Sequence, residues 1–199
     1  MGSIDHLVVA AASTEAGAAH ILAALGRPPG PGGRHEAMGT HNRLLGLGDA
    51  YLEAIAIDPD APAPQRPRWF ALDHRSGPPR LSNWVLRVDD LEAACEALPG
   101  SGRIAAFARG ALRWRMAVPE DGSLPFAGVQ PALIAWETAP PALPESGLRL
   151  AELVLSHPEA GKLEAALAPL LADARVRFAQ GAPALAAAIT GPDGPRRLQ

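Results

Sequence analysis

The stretch Ile4-Asp5-His6-Leu7-Val8-Val9-Ala10 is followed by Ser13 and by an apolar-periodic segment that ends at Leu25 and Gly26. A short apolar run fits a buried strand, and Ser is a preferred cap for the helix that follows. Glycine directly after the last helical residue is a common stop signal. The same opening recurs twice further along the chain, so we expect a fold built from repeats.

The second copy begins with Ser82-Asn83-Trp84-Val85-Leu86-Arg87-Val88 and Asp89, and the third with Leu148-Arg149-Leu150-Ala151-Glu152-Leu153-Val154-Leu155 and Ser156. Each of these two caps has a glutamate three residues later, the spacing of a capping box. In the first copy, strand-like residues 40–47 and 50–57 flank Gly48-Asp49, a strong hairpin signal. Each unit thus reads β-α-β-β with room for another strand, and His6 is matched with Trp84.

These repeats predict an α+β protein with four parts. Residues 1–57 form a first module, 58–80 a proline-rich loop or linker, and 81–139 a second module, and 147–199 form a partial third β-α-β-β unit packed on the same fold. The loop holds six prolines, which exclude a central strand or helix. Trp69 and Phe70 within it favour a loop that packs on the sheet.

Charge and cysteine content exclude several function classes. The chain has 18 Lys and Arg against 21 Asp and Glu, a net charge of −3, which argues against nucleic-acid and anionic-membrane partners. The single cysteine, Cys95, excludes an intramolecular disulfide and fits a reducing compartment. No signal peptide and no uncharged stretch of about 20 residues is present, so we expect a soluble cytoplasmic protein.

Several spaced elements carry a family resemblance: Ile4-Asp5-His6-Leu7-Val8-Val9, Met38-Gly39-Thr40-His41-Asn42-Arg43, Tyr51-Leu52-Glu53 and Pro131-Ala132-Leu133-Ile134-Ala135-Trp136-Glu137. Over residues 4–137 the chain resembles the vicinal oxygen chelate superfamily, which includes glyoxalase I, extradiol dioxygenases and bleomycin-resistance proteins. More narrowly, it is similar to the bacterial glyoxalase-like domain branch. The resemblance implies paired βαβββ modules that form a cupped, barrel-like mixed sheet around a small-molecule pocket.

In metal-dependent members of the superfamily, the first and last strands of each module each supply one ligand to a divalent cation. Carried over to this chain, the first module supplies His6 and Glu53. The second module supplies Trp84 and Ala135, neither of which binds a metal. Two protein ligands make a poor divalent site, so the expectation is a cup without a metal.

The alternative is a Zn, Fe, Mn or Ni ion that gains a third ligand from His41. Strand alternation does not decide whether His41 faces the cup, because both faces of its strand are plausible inner faces. Glu137 stays on the face of Ala135 but is displaced from it by about 7 Å.

The resemblance and the residues together give a set of candidate site residues. Glu53 lies inside an apolar strand, where a carboxylate must be exposed, paired or functional, and we predict it as the proton acceptor. His6 is predicted to orient the ligand or bind a cation, although a hydrogen-bonded structural histidine is the simpler interpretation. The predicted substrate-binding residues are His41, Asn42, Arg43 and Trp84.

Two classes of function remain open. The first is a glyoxalase-like enzyme of lyase, isomerase or dioxygenase type that acts on a carbonyl or vicinally oxygenated small molecule. The alternative is a non-catalytic protein that binds or sequesters a drug or metabolite. A scaffold whose cup is filled by side chains is a third possibility. The resemblance also implies a homodimer, whereas the third unit could instead cover the edge that dimerisation would bury.

Overall fold

Twelve strands and three helices form three consecutive β-α-β-β-β units in the computed structural model, which describes residues 1–199. The first unit comprises β1 (Ser3–Ala10), α1 (Thr14–Leu25), β2 (Arg34–His35), β3 (Thr40–Gly46) and β4 (Tyr51–Ile57). The second comprises β5 (Arg80–Arg87), α2 (Leu91–Ala97), β6 (Arg103–Arg109), β7 (Leu112–Val118) and β8 (Ala132–Trp136). The third comprises β9 (Arg149–Ser156), α3 (Ala160–Leu167), β10 (Val176–Ala179), β11 (Ala184–Gly191) and β12 (Gly194–Leu198).

The first helix begins and ends at local side-chain signals, whereas α3 begins after Glu159, without a side-chain cap, and not at the predicted Ser156. The Ser13 hydroxyl accepts a hydrogen bond from the Ala16 amide at 3.2 Å, and α1 ends at Gly26 with φ 71°, both as predicted. Helix α2 is capped by Asp90 rather than by the predicted Asp89. None of the helices combines the length and the apolar character needed to cross a membrane.

The first two units form one eight-stranded mixed sheet that curves into a nearly closed cup. Its strand order is β2-β3-β4-β1-β5-β8-β7-β6, so each module contributes four adjacent strands. Within each module the last strand pairs parallel with the first, and the antiparallel pair of β1 and β5 joins the two modules. The edge strands β2 and β6 approach each other without pairing, which leaves one unpaired seam in the cup.

The register of β1 and β5 reveals an approximate two-fold axis. The paired residues are Leu7 with Trp84, His6 with Val85, and Val8 with Asn83. This register is symmetric about the first pair, so the counterpart of His6 is Asn83. The predicted match of His6 with Trp84 is therefore wrong by one residue, and such a slip reverses the face of every side chain in a strand.

Trp84 accordingly faces the helices instead of the cup. It is fully buried and belongs to the same apolar cluster as Leu7 and Leu86. Its indole N–H donates to the Val129 carbonyl at 2.8 Å, so its one polar atom is satisfied inside the protein. Trp84 is a core residue on the outer side of the sheet.

The third unit forms a separate four-stranded sheet in the order β10-β9-β11-β12. Here β9 pairs parallel with β10, the second strand of the unit, so its topology differs from that of the modules. Leu153 and Ala187 of this sheet join the cluster that contains Trp84, which places the unit on the outer face of the large sheet. Asp49 in the turn of the β3–β4 hairpin forms two 2.9 Å hydrogen bonds with Arg175, which tie the first module to this unit.

We expect Leu153→Ala to destabilise the whole protein by about 2–5 kcal/mol, because it opens a cavity in the cluster shared by both sheets. Urea denaturation followed by circular dichroism and by tryptophan fluorescence measures the loss. The matched control is Glu152→Ala, which removes a partly exposed side chain from the same strand. Separate transitions for the two sheets would contradict the shared core.

Candidate active site

The interior of the cup contains a narrow cavity that is lined by both modules. Its polar lining side chains are His6, His35, Asn42, Tyr51, Glu53 and Arg109. Aromatic side chains cover most of the remaining wall: Trp69, Phe70, Trp114 and Trp136. The cavity therefore combines several titratable groups with an apolar surface that excludes water, the usual composition of a small-molecule site.

A linear array of charged groups, Asp5–His6–Glu53, forms the polar floor of the cavity. The His6 Nδ1 atom lies 2.7 Å from Asp5 Oδ1, and its Nε2 atom lies 3.4 Å from Glu53 Oε2. All three residues are at least 95% buried. Asp5 also accepts a 2.8 Å hydrogen bond from the Trp136 indole, so strand β8 of the second module helps to hold the array.

A β-bulge explains why Asp5 and His6 lie together. Asp5 is the extra residue where the pairing of β1 with β5 shifts between Ile4 and His6. Simple alternation would place Asp5 and His6 on opposite faces of the strand. The inserted residue changes the direction of the neighbouring side chains, so that Asp5 contacts the His6 ring. Tyr51 stacks on the other side of that ring with 4.6 Å between centroids. The imidazole is thus fixed with Nε2 towards Glu53.

The array holds a proton on His6. Burial opposes the charged imidazolium, but the hydrogen bonds and negative charges of Asp5 and Glu53 outweigh it and raise the pKa of His6 to about 9. Burial likewise raises the pKa of Glu53, but the contacts with His6 and Asn42 prevail and lower it to about 2. At neutral pH the site therefore contains an imidazolium between two carboxylates.

Asn42 fixes the second oxygen of Glu53. Its Nδ2 atom donates to Glu53 Oε1 at 2.6 Å, and its Oδ1 atom accepts from the Gly33 amide at 2.8 Å. Gly32 packs so closely on Asn42 that a Cβ atom there would lie 2.2 Å from the Asn42 carbonyl oxygen. The glycine-rich loop before β2 is thus a support for Asn42.

Arg109 reaches across the seam from the second module. Its NH1 group donates to Asn42 Oδ1 at 3.1 Å and lies 3.3 Å from His35 Nε2. Burial, together with the positive charge of Arg109, lowers the pKa of His35 to about 4, although Glu53 acts in the opposite direction. His35 is therefore neutral, and its Nδ1–H donates to Thr40 Oγ1 at 3.1 Å. No carboxylate pairs with Arg109, so the cavity wall carries a cation without a counter-ion.

The proline-rich segment crosses the cup and inserts two aromatic side chains. Trp69 and Phe70 are both more than 90% buried and pack against Phe107 and Trp114 of the second module. Phe70 and Ala71 have φ values of 56° and 52°, a conformation that costs energy for residues with a side chain. The segment is a packed cover of the cavity.

Of the four predicted substrate-binding residues, the structure brings only Asn42 to this cavity. His41 and Arg43 point to the opposite face of β3 and line a separate surface groove, where Arg43 contacts Glu15 at 3.5 Å. Trp84 lies in the outer core, as described above. Asn42 and Leu44 therefore define the inner face of β3, which alternation alone left open.

The second-module positions predicted from the family pattern also lie outside the cup. Ala135 belongs to the outer core, and Glu137 contacts Arg115 at 3.8 Å on the exposed surface. By the register of β5 with β8, the counterpart of Glu53 is Ala132. The true counterparts of the ligand pair are therefore Asn83 and Ala132.

The donor set does not fit a divalent cation. The first module supplies His6 and Glu53, and no group of three or more His, Cys, Asp or Glu side chains is placed to hold a metal ion. The cation of Arg109 borders the same cavity, which adds repulsion. These side chains form a buried ion-paired cluster.

Sequence reasoning missed four residues of the site: Asp5, His35, Tyr51 and Arg109. Tyr51 pairs with His6 in the sheet, and Asp5 precedes His6 in the chain. Both residues could therefore have been predicted from their closeness to His6. His35 and Arg109 meet only because β2 and β6 approach each other when the cup closes. No local pattern signals that contact.

Comparison with known proteins agrees with this architecture. The sequence model of the glyoxalase-like domain family matches residues 4–171. The chain belongs to this family. It therefore lies within the vicinal oxygen chelate superfamily, as the sequence resemblance implied, and is an enzyme or binding protein of that superfamily. Comparison with curated proteins gives no significant match.

The chain is similar to several solved structures at low sequence identity. A hypothetical protein from Staphylococcus aureus superposes with a TM-score of 0.60 at 12% identity, covering 91% of this chain and 86% of that one. Methylmalonyl-CoA epimerase from Mycobacterium tuberculosis gives 0.45 at 21% identity, covering 69% and 88%. The Streptomyces coelicolor methylmalonyl-CoA epimerase gives 0.44 at 17% identity, covering 71% and 98%.

The protonation states of this glyoxalase-like domain are open to direct measurement. In a ¹⁵N NMR titration of the histidine rings, we expect His6 to lose its proton near pH 9 and His35 to stay neutral until about pH 4. The raised pKa of His6 also means that its contribution to stability is complete below pH 6.5 and is lost as the pH rises through 9. Glu53→Gln should lower the pKa of His6 and shrink this loss in urea denaturation. A His6 that titrates near 6.5 in the wild type would contradict the array.

Proposed function

We propose that this glyoxalase-like domain is an enzyme of lyase or isomerase type that moves a proton next to a carbonyl group of a small molecule. The observation that supports it is the buried His6–Glu53 pair, which faces the cavity with opposite charges 3.4 Å apart. Buried charges are costly and are commonly retained at catalytic sites.

The two contacts of the imidazolium differ in length, and this difference suggests its role. The 2.7 Å contact with Asp5 is a full hydrogen bond, whereas the 3.4 Å contact with Glu53 is longer than a charge-assisted hydrogen bond normally is. The Nε2–H of His6 can therefore leave Glu53 and donate instead to the carbonyl oxygen of an incoming substrate. Asp5 keeps the ring in place while this happens.

Binding of the carbonyl also activates the base. When His6 donates to the substrate oxygen, Glu53 loses part of the interaction that lowers its pKa, and its basicity rises. Glu53 Oε2 then accepts the proton from the carbon next to the carbonyl, while the Nε2–H of His6 stabilises the enolate oxygen. Exchange of this proton with solvent, followed by its return from Glu53 to the same carbon, completes a hydrogen exchange, whereas its delivery to a different atom of the enolate completes an isomerisation.

The charge of Arg109 indicates a substrate with an acidic group. Its guanidinium lines the cavity and has no carboxylate partner, and the adjacent His35 is neutral. A carboxylate of the substrate would supply the missing counter-ion. We therefore expect small carbonyl compounds that carry a carboxylate to be preferred.

A binding protein without catalysis is the second candidate, favoured by the aromatic wall of Trp69, Trp114 and Trp136. Flat aromatic surfaces give affinity without chemistry. The two candidates differ in whether Glu53 is needed for a reaction or merely for a contact.

Solvent deuterium uptake distinguishes them. Wild-type protein in D₂O is mixed with pyruvate, 2-oxobutyrate, acetoacetate or butanone, and exchange at the carbon next to the carbonyl is followed by proton NMR. We expect Glu53→Gln to lower the enzymatic exchange rate by about 10²–10⁴-fold, the usual contribution of a general base. Glu137→Gln, on the outer surface, is the matched control and should leave exchange unchanged.

Binding with no exchange above background for every compound would remove the enzymatic proposal. The sequestering function would then remain. Exchange that is equally fast in Glu53→Gln would show that another group is the base.

In the same assay, Arg109→Gln should raise KM for the carboxylate compounds by about 10- to 100-fold, because a charged hydrogen bond is lost. The value for butanone should change little. Arg103→Gln, which removes an exposed guanidinium from the same strand, is the control. An equal effect on butanone would mean that Arg109 acts by closing the seam and not by binding an anion.

A further inference from the structure

The second module forms its own half of the cup, which contains a second narrow cavity. It shares Trp69, Phe70 and Met116 with the cavity described above, so these side chains form a common wall. None of its lining residues is charged. The lining of the first cavity thus contains charged groups, whereas that of the second contains none.

The two-fold axis shows that the second cavity is a neutral version of the first. The bulge at Asp5 in β1 has its counterpart at Ser82 in β5, where the pairing shifts again. Residues Ser82-Asn83 accordingly take the places of Asp5-His6. Ala132 replaces Glu53, so each member of the Asp5–His6–Glu53 array has an uncharged counterpart.

Two residues that line this cavity, Asn83 and Trp69, each have one polar atom without a partner. Asn83 is 99% buried, and its Nδ2 atom donates to the carbonyl oxygens of Gly128 at 2.7 Å and Gln130 at 2.9 Å. Since both partners can only accept, the orientation of the amide is fixed and Oδ1 is the atom left over. That oxygen and the Trp69 indole N–H are both buried without a hydrogen bond.

Unpaired buried polar atoms are unfavourable, and native proteins satisfy nearly all of them. Asn83 offers an unpaired acceptor and Trp69 an unpaired donor, and both residues line the same cavity. A ligand group that carries both a donor and an acceptor would suit them. The apolar wall of Phe70 and Met116 would cover the remainder of that group.

We infer that the second half-cup is a binding subsite for an uncharged group that carries both a donor and an acceptor, such as a primary amide or a hydroxyl. Its N–H or O–H donates to Asn83 Oδ1, and its oxygen accepts from Trp69 Nε1–H. The absence of charge from the lining disfavours carboxylates there. The inference does not depend on the proposed proton transfer, because it concerns binding in the other module.

Propionamide is a suitable probe, with butanone and propionate as comparisons that lack the donor or carry a charge. NMR titration of the wild-type protein should move the Trp69 indole N–H signal and the Asn83 side-chain amide signals with propionamide. Butanone and propionate should move them much less at equal concentration.

Two variants localise the binding. Trp69→Phe keeps an aromatic ring but removes the N–H. It should lower the affinity for propionamide by about 2- to 10-fold, the effect of one hydrogen bond. Ala132→Leu fills the cavity from the strand and should abolish binding, while circular dichroism confirms that both variants are folded.

The inference is overturned if propionamide leaves the Trp69 and Asn83 signals in place, or if it binds equally to wild type and Ala132→Leu. It is also overturned if a crystal soaked with propionamide shows only an ordered water between Asn83 Oδ1 and Trp69 Nε1. A loss of deuterium exchange in the first half-cup has no bearing on any of these readouts.

Discussion

The antiparallel pairing of β1 with β5 is the constraint on which the rest of the molecule depends. It joins the two modules, and its register decides which side chains of both strands face the cup. The matching bulges at Asp5 and Ser82 keep that register symmetric. If β5 shifted by one residue while β1 stayed in place, Trp84 would face the cup and Asn83 would face the helices.

The symmetric backbone carries an asymmetric set of charges. The first module places Asp5, His6 and Glu53 in a buried line, whereas the second has neutral residues at the corresponding positions. Desolvation makes an isolated buried charge prohibitive, so these groups are stable only as a connected set. The fold thus allows one cavity of the cup to hold several charged groups while the other is lined by uncharged residues alone.

Much of the fold could be predicted because its signals are local. Ser13 and Gly26 delimit α1, and Gly48-Asp49 gives the turn of the β3–β4 hairpin. The face of a residue could not be read in the same way, because an extra residue such as Asp5 changes the alternation without leaving a mark in the hydrophobic pattern.

The candidate site was predicted in part for a related reason. His6, Asn42 and Glu53 lie on strands whose pattern is visible in the sequence. Arg109 and His35 belong to edge strands that meet only across the closed cup, and such contacts depend on the overall curvature of the sheet. The third unit shows the same limit, since its order of elements matches the modules while its strand pairing does not.

The seam between β2 and β6 also makes the cup mechanically uneven. Everywhere else around the cup, widening would break backbone hydrogen bonds between paired strands. Between β2 and β6, the contacts of Arg109 with Asn42 and His35 are made by side chains alone. Opening there exchanges side-chain hydrogen bonds for water and leaves every strand pair intact. Entry into the cup is therefore easiest beside Arg109, a cation of the cavity wall that has no carboxylate partner.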